Sequence, residues 1–496
     1  MEELSFPFDN SYARDLPGFY VPWEPAPVPK PHLLFLNAEL AEELRLGLDS
    51  LDDAALAAVF SGNRLPPGAA PIAQAYAGHQ FGHFSPQLGD GRALLIGEVI
   101  DRNGRRRDIA FKGSGKTPFS RRGDGKAAVG PMLREVLIGE AMHALGIATT
   151  RALAVVGTGD PVYRERTLPG AVLTRVADSH LRVGTFEFFA ANGEAGQVKR
   201  LADYAIRRHY PELIGAKDSY LEFLRAVTAR QAALVAQWMG VGFIHGVMNT
   251  DNMSIAGETI DYGPCAFMEA YDPKAVFSSI DEYGRYAFEN QPGIAQWNLA
   301  RLAESLLPLL AEDDEQAVAL ATEAVHTFPG LYSRYWLEVM GAKLGLAGRE
   351  EDDAALLEEW LALLAANQAD FTLAWRRLAD AAEGNPAPLQ ALICDSPALD
   401  SWLAKWQARC AAEDGSDADA AATRAARMRR ANPWIVPRNH RVEEALSAAS
   451  EDGNMEPFQQ LLAAIGHPWE ETPELAPYAE PAPMSFTGNY RTFCGT

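Results

Sequence analysis

The stretch that constrains this chain most is FIHGVMNTDNMSIAGETIDYGP, from Phe243 to Pro264. It follows an apolar run, Asp218 to Met239, in which Leu224, Val227, Leu234, Val235 and Trp238 recur at helical spacing. A helix therefore delivers the chain into a polar loop. The first half of that loop carries His245, Asp251 and Asn252, and a short alternating segment then brings in Asp261. Two carboxylates and an amide stand within eleven residues. Oxygen ligands of this kind suit a hard cation such as magnesium, which keeps several waters and takes one or two carboxylates plus substrate phosphates. A capped turn has the same composition, so the pattern needs support from the rest of the chain.

The order of these residues also matches phosphoryl-transfer enzymes, where a loop with His, a base Asp and a metal-binding Asn precedes a second metal Asp. Small-molecule kinases of that architecture read His-Gly-Asp with an Asn five residues after the Asp, which puts the base at position 247. Here that residue is Val247, whose isopropyl group accepts no proton. Asn252 keeps its register and Asp251 lies beside it. The loop has kept its metal ligands and has moved or lost its base.

Composition narrows the partners. The 66 acidic against 44 basic residues give a formal net charge of −22, which argues against nucleic acid or an anionic membrane as the main partner. With no apolar run of eighteen residues and no signal-peptide pattern in MEELSFPFDN, the expectation is a soluble, cytoplasmic protein. At 496 residues, two or three domains with a sizeable core are expected. Cys265, Cys394, Cys410 and Cys494 include no close pair, so neither a zinc knuckle nor a disulfide framework is indicated.

Along the chain, residues 1–85 are rich in proline and aromatics, with a helix expected from Ala38 to Phe60. His79 and His83 have the spacing of two ligands on a helix face, but no acidic third ligand is adjacent, so packing or capping is expected. Gly89-Asp90-Gly91-Arg92 then leads into ALLIGEVI; a Gly-x-Gly lets backbone amides approach a phosphate, and equally makes a turn. ALLIGEVI and DIAFKG flank Asn103-Gly104, which predicts an antiparallel hairpin ending on Lys112. GSGKTPFSRRGDGK follows. It lacks the first glycine of a P-loop, at Ala110, and reads either as a mobile basic loop or as a cradle for a polyphosphate. A helix is expected from Pro131 to Leu145 with Glu135 in its first turn, placed to pair with Lys112 as in a kinase. Strands are expected over RALAVVGTG and over ERTLPGAVLTRVADSHLRVGTFEFF, which carries Arg175 and Arg182. Cys265 to Gln296 reads as irregular, a helix follows from Trp297 to Leu310, and the chain beyond Pro329 is helical to about Ala448.

These landmarks together, AFKGSGKTPFSRRGDGK, REVLIGEAMHALGI, TRVADSHLRVGTFE, IHGVMNTDNMSIAGETIDYGP, NPWIVPRNH and a third-from-last Cys494, closely resemble the selenoprotein O family. The resemblance covers most of the chain. It implies an α+β, protein-kinase-like two-lobed fold: an N-terminal extension (1–85), an N-lobe (86–185), a C-lobe with the catalytic and metal loop (186–345), and a helical C-terminal extension and tail (346–496). It also implies adenylyl transfer, with AMP moving from ATP to Ser, Thr or Tyr hydroxyls of proteins. Lys112, Arg175 and Arg182 would hold phosphates, Glu135 would pair with Lys112, and Gly89, Gly91, Arg92, Asp124 and Gly125 would complete the nucleotide pocket. Asp251 would be the base, with Asn252 and Asp261 binding magnesium, or alternatively manganese. Animal members carry selenocysteine at the position of Cys494.

Two other readings stay open at the level of sequence, a kinase that moves the γ-phosphate and a pseudokinase that binds ATP as a scaffold. The surplus arginines favour adenylyl transfer, because cations holding the terminal phosphates deep in a cleft leave the α-phosphate facing the acceptor. A bond between Cys265 and Cys494 would staple the segment after Asp261 and control substrate access.

Overall fold

In the computed structural model, which describes residues 6–193, 195–414 and 419–493, the expected hairpin forms the middle of the largest sheet. The strands are Tyr20–Pro22 (β1), His32–Leu36 (β2), Ile72–Gln74 (β3), Gly78–Gln80 (β4), His83–Ser85 (β5), Ala93–Ile100 (β6), Arg106–Lys112 (β7), Ala127–Ala128 (β8), Arg151–Tyr163 (β9) and Thr167–Ala177 (β10). Eight of them make one antiparallel sheet in the order β1-β3-β6-β7-β10-β9-β2, with β8 on β10, while β4 and β5 form a separate hairpin. β6 and β7 pair from Ala93 opposite Lys112 to Ile100 opposite Arg106. The turn between them is held by Asp101, whose Oδ1 accepts the backbone N–H groups of Asn103 and Arg105.

Helices Val129–Ala144 and Asp53–Phe60 pack on β9 and β10. Covered in this way, β9 is buried continuously from Ala152 to Thr158, which is why its sequence runs apolar instead of alternating. On the other side of the site, helix Ser219–Val241 packs against Gln291–Leu310 and Phe328–Lys343. Further helices follow to Met484–Thr487, so the protein as a whole is mixed α and β while the described residues after Phe267 carry helices but no strand. The tail returns to the centre of the molecule, where the Thr492 hydroxyl donates to the Pro264 carbonyl at 2.6 Å. Cys494 lies outside the described residues. No helix among the described residues is long and apolar enough to cross a membrane.

Three expectations of local structure are corrected. The single helix from Ala38 to Phe60 is two, Ala38–Glu43 and Asp53–Phe60, because Asn37 and Asp52 each cap a helix start with a side-chain oxygen. The strand expected through Phe189 ends at Ala177, and Val183–Ala191 is a helix with Phe186 and Phe189 buried. Its β-favouring residues are overruled by packing against Gln291–Leu310. That partner helix itself begins at Gln291, six residues before Trp297, with Pro292 in its first turn.

Candidate active site

Helix Ser219–Val241 ends on Gly242, whose left-handed backbone turns the chain into strand β11, Phe243–Ile244. β11 pairs antiparallel with β12, Ala266–Phe267, so the two halves of the intervening loop face each other. His245 ties them together. Burial keeps its ring neutral by lowering its pKa, and Nε2 donates to the Ile260 carbonyl at 2.9 Å. Its role is therefore to fix the loop. Asn252 Nδ2 donates to the Val247 carbonyl at 3.0 Å, which spends the amide nitrogen on the loop and leaves the amide oxygen for the cleft.

The twelve residues singled out above line one cavity of about 1000 Å³. Lys112 at the end of β7 bonds Glu135, from helix Val129–Ala144, and Asp261 at once. Arg175 on β10 donates from Nη1 to Asp261 Oδ1 at 3.2 Å and stands 3.9 Å from Glu135. Burial alone would raise the pKa of Asp261, but Lys112, Arg175 and Arg182 outweigh it and hold the group well below the usual carboxylate range. Asp261 is also left-handed, at φ 66°, a conformation uncommon for non-glycine residues and one that Asp adopts more readily than most. Arg182 caps helix Val183–Ala191, lies over the Tyr76 ring at 4.3 Å and is 4.0 Å from Asp90.

Asp251 shares the burial of Asp261 but not its bonds to Lys112 and Arg175. Its Oδ1 is buried without a hydrogen-bond partner, and its Oδ2 receives only a long bond from Gln80 at 3.4 Å. Burial pushes its pKa up to about 7, against the pull of Arg182. The wall over it is the β4–β5 hairpin, where a Cβ on Gly78 would lie 2.6 Å from Asp251 Oδ1. Two carboxylates on one loop are thus driven apart, one held ionised by cations and one poised near neutrality, the arrangement by which acid–base roles are divided.

The glycine-rich segments form the far wall. At Gly89 (φ 68°) a Cβ would run into the Phe119 ring at 2.3 Å, and at Gly125 (φ 71°) into the Gly115 carbonyl at 2.1 Å, so both close approaches require glycine. Thr117 donates to the Asp90 carbonyl at 2.6 Å, and Ser120 bonds the Gly91 carbonyl. The GSGKT segment is therefore held over Gly89–Arg92 by these bonds and by the buried Phe119, while Arg121 and Arg122 beyond it are exposed. Asp124 is fixed by Arg164 at 2.8 and 3.1 Å, and that bond lowers its pKa. Arg92 Nη1 is buried in the wall with no partner.

His79 and His83 sit on opposite strands of the β4–β5 hairpin and not on a helix; His79 bonds Glu187. Cys265 is buried, its thiol pushed up to about 12 by burial.

Sequence reasoning missed Gln80, Tyr76 and the pair that sets Arg175. His180 Nδ1 donates to Asp108 at 2.9 Å, and Nε2 accepts from Arg175 Nε at 3.3 Å. Burial brings the His180 pKa down to about 4, so the ring stays neutral and serves as donor on one side and acceptor on the other. The available signal was Asp108, a carboxylate at the point where the strand RRDIAFK passes from charged to apolar residues, and it is buried.

A family model described as protein adenylyltransferase SelO matches residues 2–466. Among curated relatives, the protein nucleotidyltransferase YdiU of Chromobacterium violaceum is 61% identical over 482 residues, covering 97% of this chain and 100% of that protein. The protein of the same name from Cereibacter sphaeroides is 60% identical over 494 residues (99% and 100%). That from Agrobacterium fabrum is 56% identical over 489 residues (99% and 99%).

Proposed function

The chain belongs to the SelO family of protein adenylyltransferases, and from that premise we propose that the 1000 Å³ cavity is where ATP gives up AMP to a protein hydroxyl. The observation that carries this reading is the convergence on one cavity of three cations, Lys112, Arg175 and Arg182, with Asp251, Asn252 and Asp261. Family membership sets aside γ-phosphate transfer and scaffolding without chemistry. The fold is read as kinase-like, with 86–185 and 186–345 as its lobes between the extensions 1–85 and 346–496. In support, Lys112, Glu135 and Arg175 come from the sheet and its helix, and Asp251, Asn252 and Asp261 from the loop after helix Ser219–Val241.

The terminal phosphates lie against the three cations, whose guanidinium forks and ammonium match phosphate oxygens. The α-phosphorus then faces Asp251. The acceptor, a Ser, Thr or Tyr hydroxyl, passes its proton to Asp251 as its oxygen bonds the α-phosphorus. The bond from that phosphorus to the bridging oxygen breaks, and pyrophosphate leaves with its charge spread over Lys112, Arg175 and Arg182. Raised to about 7 by burial, Asp251 is a stronger base than an exposed carboxylate and is still partly ionised near neutral pH.

Magnesium, or alternatively manganese, fits the donor set. Asn252 Oδ1 and Asp261 Oδ2 are hard oxygens without hydrogen-bond partners among the described residues, since the Asn252 nitrogen is bound to Val247 and the Asp261 bonds all fall on Oδ1. Those two atoms would hold the ion, which supplies charge neutralisation on the phosphates. No group of three or more His, Cys, Asp or Glu among the described residues is arranged to hold a metal ion, so the remaining ligands would come from phosphate and water.

The test is incubation of a protein substrate mixture with ATP labelled at the α or the γ position. Label from the α position on protein, lost in Asp251→Ala, is expected. Label from the γ position alone would refute the reading.

A further inference from the structure

The nucleotide cavity has a neighbour. Phe81 and Ile280 line its rim and also line a surface cavity of about 710 Å³. Gln80, next to Phe81, is the residue that reaches Asp251, so the two cavities meet on the side of the cleft where the base sits. Apolar surface gathers there. Ile280 is 49% exposed and Tyr283 96% exposed, both large side chains left in water at the mouth of a groove.

The charges of the groove divide into two kinds. Asp281 is engaged, accepting the backbone N–H groups of Arg285 and Tyr286 at 2.9 and 2.7 Å. The Arg285 guanidinium lies over the Trp297 ring at 4.9 Å and the Tyr286 ring at 5.7 Å. Glu282 and Glu289 are exposed, and neither pairs with a cation among the described residues. An apolar floor edged by two unengaged carboxylates, continuous with the place where a polypeptide hydroxyl must arrive, has the chemistry of a peptide-reading groove.

We infer that this groove receives the segment of the protein substrate flanking the acceptor hydroxyl, and that it selects a Lys or Arg next to an aliphatic or aromatic residue. The inference rests on Asp251 being the base. Adenylyl transfer supplies the continuity, because the acceptor cannot reach Asp251 along this rim without its neighbours crossing Phe81 and Ile280. The free carboxylates supply the sign of the preference.

The experiment is a synthetic peptide library built around one central Ser, Thr or Tyr, incubated with the full-length protein and α-labelled ATP. Label is expected to concentrate on peptides with a basic residue beside an apolar one. The double variant Glu282→Gln, Glu289→Gln should raise the KM for such peptides about tenfold, while the KM for ATP stays within about twofold. Tyr283→Ser should weaken the apolar preference; at 96% exposure its truncation leaves the fold intact. The double variant Glu282→Lys, Glu289→Lys should switch the preference from basic to acidic peptides, a change that misfolding cannot produce. Label spread without flanking preference, or variants that select as the parent does, would overturn the inference and leave the transferase reading standing. Variants altered in self-association but not in peptide selection would assign the groove to a second copy and overturn it too. A parent protein that moves no α-label onto any peptide or intact protein would bring down the transferase reading and this inference with it.

Discussion

His180 does not itself line the cavity, yet through its hydrogen bond it sets Arg175, which does, and replacing it by Phe isolates that effect. The ring of Phe fills the buried space but neither accepts from Arg175 Nε, now at 3.3 Å from His180 Nε2, nor donates to Asp108. Asp108 is little harmed, because Arg208 and the residue-180 backbone N–H still bond it. Arg175 is left with its Nη1 contact to Asp261 at 3.2 Å as its one side-chain hydrogen bond among the described residues, and its Nε is buried without a partner there. A hydrogen bond to a charged group contributes about 1.5–3 kcal/mol, so kcat/KM for ATP should fall roughly tenfold to a hundredfold at about 1.4 kcal/mol per decade. His180→Gln, whose amide can both donate and accept, should recover most of the loss. The assay is α-labelled transfer over a series of ATP concentrations, with thermal unfolding as the control for folding. ATP kinetics unchanged in His180→Phe would refute the reasoning, and so would His180→Gln falling as far as His180→Phe, which would make the residue a packing element only.

Further outcomes follow from the same geometry. Asp251→Asn should abolish transfer while titration calorimetry still detects ATP binding, since Asp251 accepts a proton and holds no phosphate; loss of both would contradict the assignment. Asp261→Ala should weaken ATP binding in the presence of magnesium, and chelation of divalent cations should stop transfer in the parent protein until magnesium is returned. Lys343 gives a test of stability. It is buried over the Trp375 ring at 4.8 Å and the Phe371 ring at 5.7 Å, has no carboxylate partner among the described residues, and burial lowers its pKa from 10.5 to about 7. The unfolded chain therefore binds the extra proton between pH 7 and 10.5, so this lysine opposes folding fully below pH 7 and not at all above 10.5. Lys343→Met should raise stability at pH 7 by about 3–5 kcal/mol, the ring contacts offsetting part of the burial cost. The gain should shrink toward zero as pH approaches 10.5; urea midpoints with a gain independent of pH would be inconsistent with it.

Much of the site was legible in one dimension because its parts are local. Helix Ser219–Val241 shows in the spacing of its apolar residues, the β6–β7 hairpin in its Asn-Gly turn, and the Asp251, Asn252 and Asp261 set in eleven residues of one loop. Lys112 and Glu135 were legible as a strand end and a helix start. Local propensity misled where packing overruled it, as in VGTFEFF, which has strand composition and is a helix packed on Gln291–Leu310, with Phe186 against Phe223 and Phe189 against Phe19. What no pattern could show is the difference between the two carboxylates. Asp261 is held ionised by cations that come from strands 86 and 149 residues away in sequence, and the pKa of Asp251 is raised by burial, against the opposing pull of Arg182 and of the bond from Gln80. The setting of Arg175 by His180 and Asp108 is equally a product of strand pairing. Residue types and spacing determined which groups this protein brings to its chemistry; burial and long-range pairing, which exist only once the chain has closed on itself, decided which of them is charged.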